Sequence, residues 1–269
     1  MKFTKMQGTG NDYVYINCFE ETVERPEELA VKVSDRHFGI GSDGLILICP
    51  SGQADCRMKM FNADGSESEM CGNGIRCVGK YVYDHHIVEK DEFDVETKAG
   101  IKHLKVTDEG GKAVLITVDM GIPEVTGEVP EPITIDGRSY EFIGISMGNP
   151  HAIYYMDEID GLDLEAMGPA FETHERFPER TNSEFIQVID RSHLRMRVWE
   201  RGSGETWACG TGATASAVAS VLSGRTENTV EVELKGGILS ITWDRESGHV
   251  YMTGPAVEVF QGEFQPENL

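Results

Sequence analysis

The chain has 269 residues, 39% of them hydrophobic, with 24 Lys+Arg against 46 Asp+Glu and a formal net charge of −22. That length fits one large or two medium domains with enough core to fold without staples, and the apolar share excludes a disordered chain. A surface this acidic repels phosphate backbones and anionic headgroups, so neither nucleic acid nor a membrane surface is an expected partner.

Met1-Lys2-Phe3-Thr4-Lys5 runs straight into a Gly/Asn/Asp turn without an apolar leader segment. No apolar run approaches the roughly 18 residues of a membrane helix, so a cytoplasmic protein is expected. Taken in chain order, apolar patterning predicts strands at Tyr13–Ile16, Leu45–Ile48, Arg57–Phe61 and Val114–Val118 in the first half. In the second half the strands fall at Ala152–Tyr155, Arg195–Trp199, Val230–Leu234 and Ile238–Trp243. Helices are predicted over Pro26–Arg36, Cys71–Asp84, Leu164–Phe171 and Cys209–Leu222. The last of these carries no charge on any face, which predicts a helix buried all round, its small side chains letting a surrounding sheet approach closely. In the helix after Cys71, by contrast, Arg76 and Lys80 are expected to need an exit to solvent.

The two halves echo each other. Cys71-Gly72-Asn73-Gly74 returns 138 positions later as Cys209-Gly210-Thr211-Gly212, and the same offset lays Gly10-Asn11 over Gly148-Asn149, Met58 over Met196, and Asn62 over Glu200. Val95–Ile101 matches Val232–Ile238 after a one-residue slip. The period is too long for a solenoid. It predicts an α+β protein of two pseudo-symmetric, strand-rich, barrel-like domains, each around a central helix. A junction is expected near residues 110–120, where Glu109-Gly110-Gly111-Lys112 breaks the pattern.

Each repeated motif puts a cysteine at a helix start, where unpaired backbone N–H groups carry partial positive charge and make an anion site. A thiol there is expected to ionise more easily. A fall from about 8.5 to about 7 corresponds to roughly 2 kcal/mol, near the upper limit of one helix-dipole interaction. Two such thiols presented to one cleft from opposite sides suit the inversion of a carbon centre, one removing a proton and the other returning one. The remaining cysteines, Cys18, Cys49, Cys56 and Cys77, form no C-x-x-C pair or metal cluster and read as packing residues, so no metal site is expected.

With Met6–Asp12, Phe61–Glu67, Met70–Gly74, Gly148–His151, Arg180–Asn182 and Glu200–Gly212, the chain resembles the diaminopimelate epimerases over essentially its whole length. The resemblance implies cofactor-independent interconversion of LL- and meso-diaminopimelate in lysine and peptidoglycan-precursor synthesis. It implies domains of residues 1–113 with 256–269 and of residues 114–255, and an active site in the cleft between them. Cys71 and Cys209 would be the acid/base pair, with His151 and Glu200 tuning them. Asn11, Asn62, Asn149, Asn182, Glu200 and Arg201 would bind substrate, while Gly72, Asn73, Gly210 and Thr211 would offer N–H groups to the reacting carboxylate. The expected partner is a small amino-acid substrate, and a homodimer is compatible with the family. Some relatives carry Gln where this chain has Gly44, which removes a side-chain contact there. A two-thiol racemase of glutamate or histidine, a thiol redox protein and an amino-acid binder are the alternatives.

Overall fold

The computed structural model describes residues 1–268. It divides into two compact units, residues 1–118 with 254–269, and residues 119–253. In the first unit the chain runs β1 (Lys2–Gly8), β2 (Asn11–Asn17), α1 (Pro26–Ser34), β3 (Gly44–Cys49), β4 (Cys56–Asn62), β5 (Glu67–Ser68), α2 (Gly72–Asp84), β6 (Glu92–Thr97), β7 (Gly100–Glu109) and β8 (Lys112–Asp119). The second unit holds β9 (Glu124–Val125), β10 (Glu131–Ile135), β11 (Arg138–Ser146), β12 (Pro150–Tyr155), α3 (Leu164–Glu172), β13 (Asn182–Asp190), β14 (His193–Glu200), β15 (Gly204–Thr206), α4 (Gly210–Leu222), β16 (Thr229–Leu234), β17 (Gly237–Trp243) and β18 (Val250–Gly254). The chain then returns to the first unit as β19 (Val257–Glu263), which pairs antiparallel with β1.

The duplication is visible in the pairing. In the first unit β1–β2 is antiparallel, β2–β3 parallel, β3–β4 antiparallel, β4–β6 parallel, and β6–β7–β8 antiparallel. In the second, β11–β12 is antiparallel, β12–β13 parallel, β13–β14 antiparallel, β14–β16 parallel, and β16–β17–β18 antiparallel. Even the register repeats: Tyr15 lies beside Ile46 as Ile153 lies beside Glu184, and Ile46 faces Met60 as Glu184 faces Val198.

Each sheet curls around one helix. α2 packs on β1, β2, β7 and β19, strands from both ends of its sheet, and α4 likewise touches β11, β12, β13, β16 and β17. A second helix covers the outer face: α1 lies on β2, β3 and β4, and α3 on β13, β14 and β15. That explains why Leu45 to Ile48 is an unbroken buried run rather than an alternating one, since both faces of β3 are covered. Outside β3, Leu29, Ala30 and Val33 of α1 close one core. In the second unit Phe171 packs edge-on to Tyr154 and Phe185 under α3.

The expected all-round burial of α4 is present, its residues from Ala213 to Ser220 being buried. For α2 the sequence expectation fails at Arg76, which is 0% exposed. Its guanidinium never reaches solvent because oxygens satisfy it inside: Gly72 O at 3.2 Å, Thr9 Oγ1 at 3.2 Å, Asn73 Oδ1 at 3.0 Å and Pro255 O at 3.3 Å. Lys80 does reach the edge, pairing with Asp84 at 2.8 Å and donating to Ala113 O at 2.6 Å. Gly110-Gly111 turns the β7–β8 hairpin with φ of 63° and 80°. β8 remains paired along β7, and the chain leaves the first unit after Val118.

Candidate active site

Both cysteines are N-caps rather than first helical residues. Cys71 (φ −131°, ψ 122°) and Cys209 (φ −118°, ψ 108°) are extended, and each sulfur accepts the N–H of the third residue on, Gly74 or Gly212, at 3.4 Å. A thiol takes the role that Ser or Asp usually fills, holding one of the unsatisfied N–H groups of the first turn. The second glycine of each motif is required by space. A Cβ on Gly74 would come within 2.7 Å of Ile46 Cδ1, and one on Gly212 within 2.6 Å of Glu184 Oε1.

In the first unit the surroundings of Cys71 are mostly neutral. The β1–β2 hairpin turns through Thr9 (φ 49°) and Gly10 (φ 82°), both left-handed as a two-residue turn of this twist demands. The turn delivers Asn11, whose Oδ1 accepts from Cys71 Sγ at 3.3 Å and from Asn73 Nδ2 at 3.5 Å. Asn11 Nδ2 donates to Asp43 Oδ2 at 2.7 Å, and Arg36 ties Asp43 and Asp12 together at 3.0 and 2.9 Å. Burial works against the Asp12 carboxyl, but Arg36 and Lys5 hold it below the usual range. Burial, and then the neighbouring Cys71, push the Tyr13 phenol well up, so it stays protonated. Asn62 keeps to its own turn, donating to Ser66 Oγ at 3.0 Å. Gly44 is a close-approach glycine: a Cβ there would meet Phe61 O at 2.2 Å, so any side chain at this place needs β4 to move.

In the second unit Cys209 is surrounded by ionisable groups. His151 is 2% exposed, with Nδ1 2.7 Å from Glu184 Oε1 and Nε2 3.1 Å from Asn149 Oδ1. Asn149 Nδ2 donates to Thr211 Oγ1 at 3.3 Å, and that hydroxyl is 3.5 Å from Cys209 Sγ. Glu200, at the end of β14, accepts from Thr206 Oγ1 and is pushed up by burial and by Glu184. Cys209 is pushed well up by burial, then by Glu200 and Glu184, against the opposing pull of Thr211 and the Gly212 N–H. This corrects the expectation of an easily ionised thiol: around Cys209, desolvation and two carboxylates outweigh the helix dipole.

Asn182 Nδ2 donates to Pro150 O at 2.9 Å, and its Oδ1 accepts the Arg201 backbone N–H at 2.9 Å, pinning the strand end that carries Glu200 and Arg201. The Arg201 guanidinium is exposed and reaches the Glu179 carbonyl at 3.3 Å, with no carboxylate partner among the described residues. The structure thus gathers Asn11, Asn73 and Gly72 around Cys71, and Asn149, His151, Glu200, Gly210 and Thr211 around Cys209. Sequence reading assigned no role to Glu184, Thr9 or Thr206, and it placed Arg76 at solvent rather than inside. The 138-residue offset places Glu184 over Ile46 and so could have flagged it as a carboxylate replacing a core residue.

Two of the cysteines read as packing, Cys56 and Cys77, are fully buried. Cys18, just past the end of β2, and Cys49, at the end of β3, are half-buried, with the Cys18 N–H on Ile48 O at 2.8 Å. A hydrogen bond from the Cys18 thiol, helped by Lys59 and Arg57, brings Cys49 down to about 7 despite burial.

Two units of one topology, each with a helix inside its sheet, make a two-domain fold that solved structures of other proteins share. A Bacillus anthracis phenazine biosynthesis protein of the PhzF family has this fold at TM-score 0.75 and 18% identity, over 98% of this chain and 99% of that one. A hydroxyproline epimerase from Agrobacterium vitis matches at TM-score 0.75 and 15% identity, over 97% and 91%. At sequence level, the diaminopimelate epimerase family matches residues 3–126 and 143–259. The diaminopimelate epimerases of Desulfovibrio desulfuricans and Acetivibrio thermocellus are 59% and 58% identical, over 98% and 100% of this chain and equal shares of their own. The chain belongs to the diaminopimelate epimerase family.

Proposed function

We propose that this protein interconverts LL- and meso-diaminopimelate by moving the α-proton between Cys71 and Cys209, without a cofactor. The observation that carries this reading is the pair of helix N-caps, each with its sulfur 3.4 Å from the third N–H of its own helix. One sulfur removes the α-proton from one face and the other supplies a proton to the opposite face; running backwards, the roles exchange. The helix starts at Gly72-Asn73 and Gly210-Thr211 offer N–H groups to the α-carboxylate, where charge develops as the proton leaves.

The two thiols have different neighbours: burial, Glu200 and Glu184 push Cys209 up, whereas Asn11 and Asn73 surround Cys71. Asn62, Asn182, Glu200 and the outward guanidinium of Arg201 supply what the distant amino-acid end needs: acceptors for an ammonium and a fork for a carboxylate. A cytoplasmic enzyme is the reading for location, consistent with there being no helix, among the described residues, long and apolar enough to cross a membrane.

The test is solvent deuterium incorporation at the α-carbon of LL-diaminopimelate. The wild type is expected to exchange it, with Cys71→Ser and Cys209→Ser each losing about a hundredfold or more of turnover. Exchange of glutamate or histidine with none of diaminopimelate overturns the substrate assignment. Full activity in either serine variant overturns the two-thiol mechanism.

A further inference from the structure

Glu184 lies in the middle of β13, fully buried, at the position where the first unit carries Ile46. Its surroundings repeat those of Ile46 closely. Both residues face the inner helix and both occupy the space left by the second glycine of the cysteine motif, with Ile46 Cδ1 and Glu184 Oε1 each less than 3 Å from the missing Cβ. One copy of the duplicated fold therefore fills this place with an apolar side chain, at no electrostatic cost. The other copy fills it with a carboxylate.

That carboxylate is expensive. Oε2 is buried without a hydrogen-bond partner among the described residues. An ionised acid so enclosed costs several kcal/mol unless an opposite charge compensates. The group beside it is His151, 2.7 Å away through Nδ1 and equally enclosed. In the first unit the corresponding positions hold Tyr13 and Ile46, so both members of the pair differ between the two copies. Glu184 Oε1 and Asn149 Oδ1 face the two ring nitrogens, and together they fix the plane of the imidazole. From there the contacts continue through Asn149 to Thr211 Oγ1 and to Cys209 Sγ.

We propose that Glu184 is a positioning residue for the thiol chemistry: it fixes the orientation of the His151 ring through Nδ1 and sets a carboxylate against the first turn of the helix that Cys209 caps. The proposal rests on the two-thiol reading and deepens it. The ionisable groups facing Cys209 are Glu200 from β14, Glu184 from β13 and His151 from β12, with the Thr211 hydroxyl from its own helix. Glu200 and Glu184 both oppose ionisation of the sulfur. Removing the charge of Glu184 alone therefore moves Cys209 ionisation to lower pH.

The experiment uses the full chain with Glu184→Gln, which preserves shape and removes the charge. The rate of Cys209 alkylation by iodoacetamide is followed by peptide mass across pH, alongside kcat and KM for LL-diaminopimelate. The alkylation midpoint is expected to fall by about one pH unit, and kcat by about tenfold with KM within about twofold. The double variant Glu184→Gln/His151→Gln is expected to lose less turnover than the two single losses combined, because part of what Glu184 does passes through the ring. An unchanged midpoint in a Glu184→Gln protein that melts like the wild type overturns the proposal, as do fully additive losses. Should Glu184→Gln fail to fold, Glu184→Asp carries the test. It keeps the charge but draws it back from Nδ1, so turnover falls while the midpoint stays, and unchanged turnover overturns the proposal. Alkylation needs no turnover, so a wild type inactive on diaminopimelate would sink the functional reading and leave this measurement standing.

Discussion

Cys71 and Cys209 make the same cap and differ in what surrounds them. Asn11 and a neutral phenol stand beside the first; Glu200, Glu184 and His151 stand beside the second. A third thiol, Cys49, is brought down to about 7 by its partner Cys18, whereas burial takes Cys56 up to about 12 and Cys77 to about 11. Mild alkylation of the folded protein just above neutral pH is therefore expected to label Cys49 well before Cys56 or Cys77, as peptide masses will show. Equal labelling would contradict this ordering. The start of a helix at each cysteine was legible in the sequence because the motif repeats, whereas His151 and Glu200 were named only through the family resemblance. The state of Cys209 was not legible, because desolvation and the reach of Glu184 exist only once β13 and α4 are packed together. Arg76 was misjudged for a similar reason: the oxygens that satisfy it come from the β1–β2 turn and from Pro255, both distant in sequence.

Elements were easier to read than their surroundings. All eight apolar segments taken as strands and all four helices lie where patterning put them, with the helices shifted by one or two residues at their caps. Patterning gave no sign that α1 and α3 cover the outer faces, because contact between helix and sheet is not written in either segment alone. The fit under α3 is tight enough to test. A Cβ on Gly168 would lie 2.2 Å from the Trp199 ring, whose Nε1 donates to Glu172 Oε2 at 2.8 Å from the same helix. Gly168→Ala is expected to cost about 1–3 kcal/mol, read as a lower Tm, because the indole is held at both its face and its nitrogen. A Tm equal to the wild type would mean that α3 can move away freely. Gly212→Ala, pressed against the Glu184 carboxylate and 3.2 Å from the Cys209 sulfur, is expected to lose turnover as well as stability.

For the whole molecule, the formal charge of −22 implies self-repulsion that salt relieves. Tm is expected to rise as sodium chloride is added at neutral pH, and a flat response would show that local ion pairs already balance the surface. The acid side follows from the carboxylates. Arg176 holds Glu131 low, Arg197 and Lys235 outweigh burial at Glu205, and Ser192 with His193 brings Asp190 to about 2. Each is lower folded than unfolded, so its contribution is present above the usual carboxylate range and disappears as pH falls through the folded values. Glu200, raised by burial, runs the other way and is relieved on acidification. The lowered group is the larger, so a melting curve followed downward from about pH 5 is expected to lose Tm steadily to about pH 2.

The return of β19 to pair with β1 has a consequence for synthesis. Translation delivers strands in order, so the first unit waits with an open edge on β1 while the whole of residues 119–253 is being made. The second unit is one uninterrupted stretch of chain and can complete itself on emergence; the half that is born first matures last. During that interval its bare edge is a template for other nascent chains, so a holdase that shields β1 would improve yield most when ribosomes run slowly.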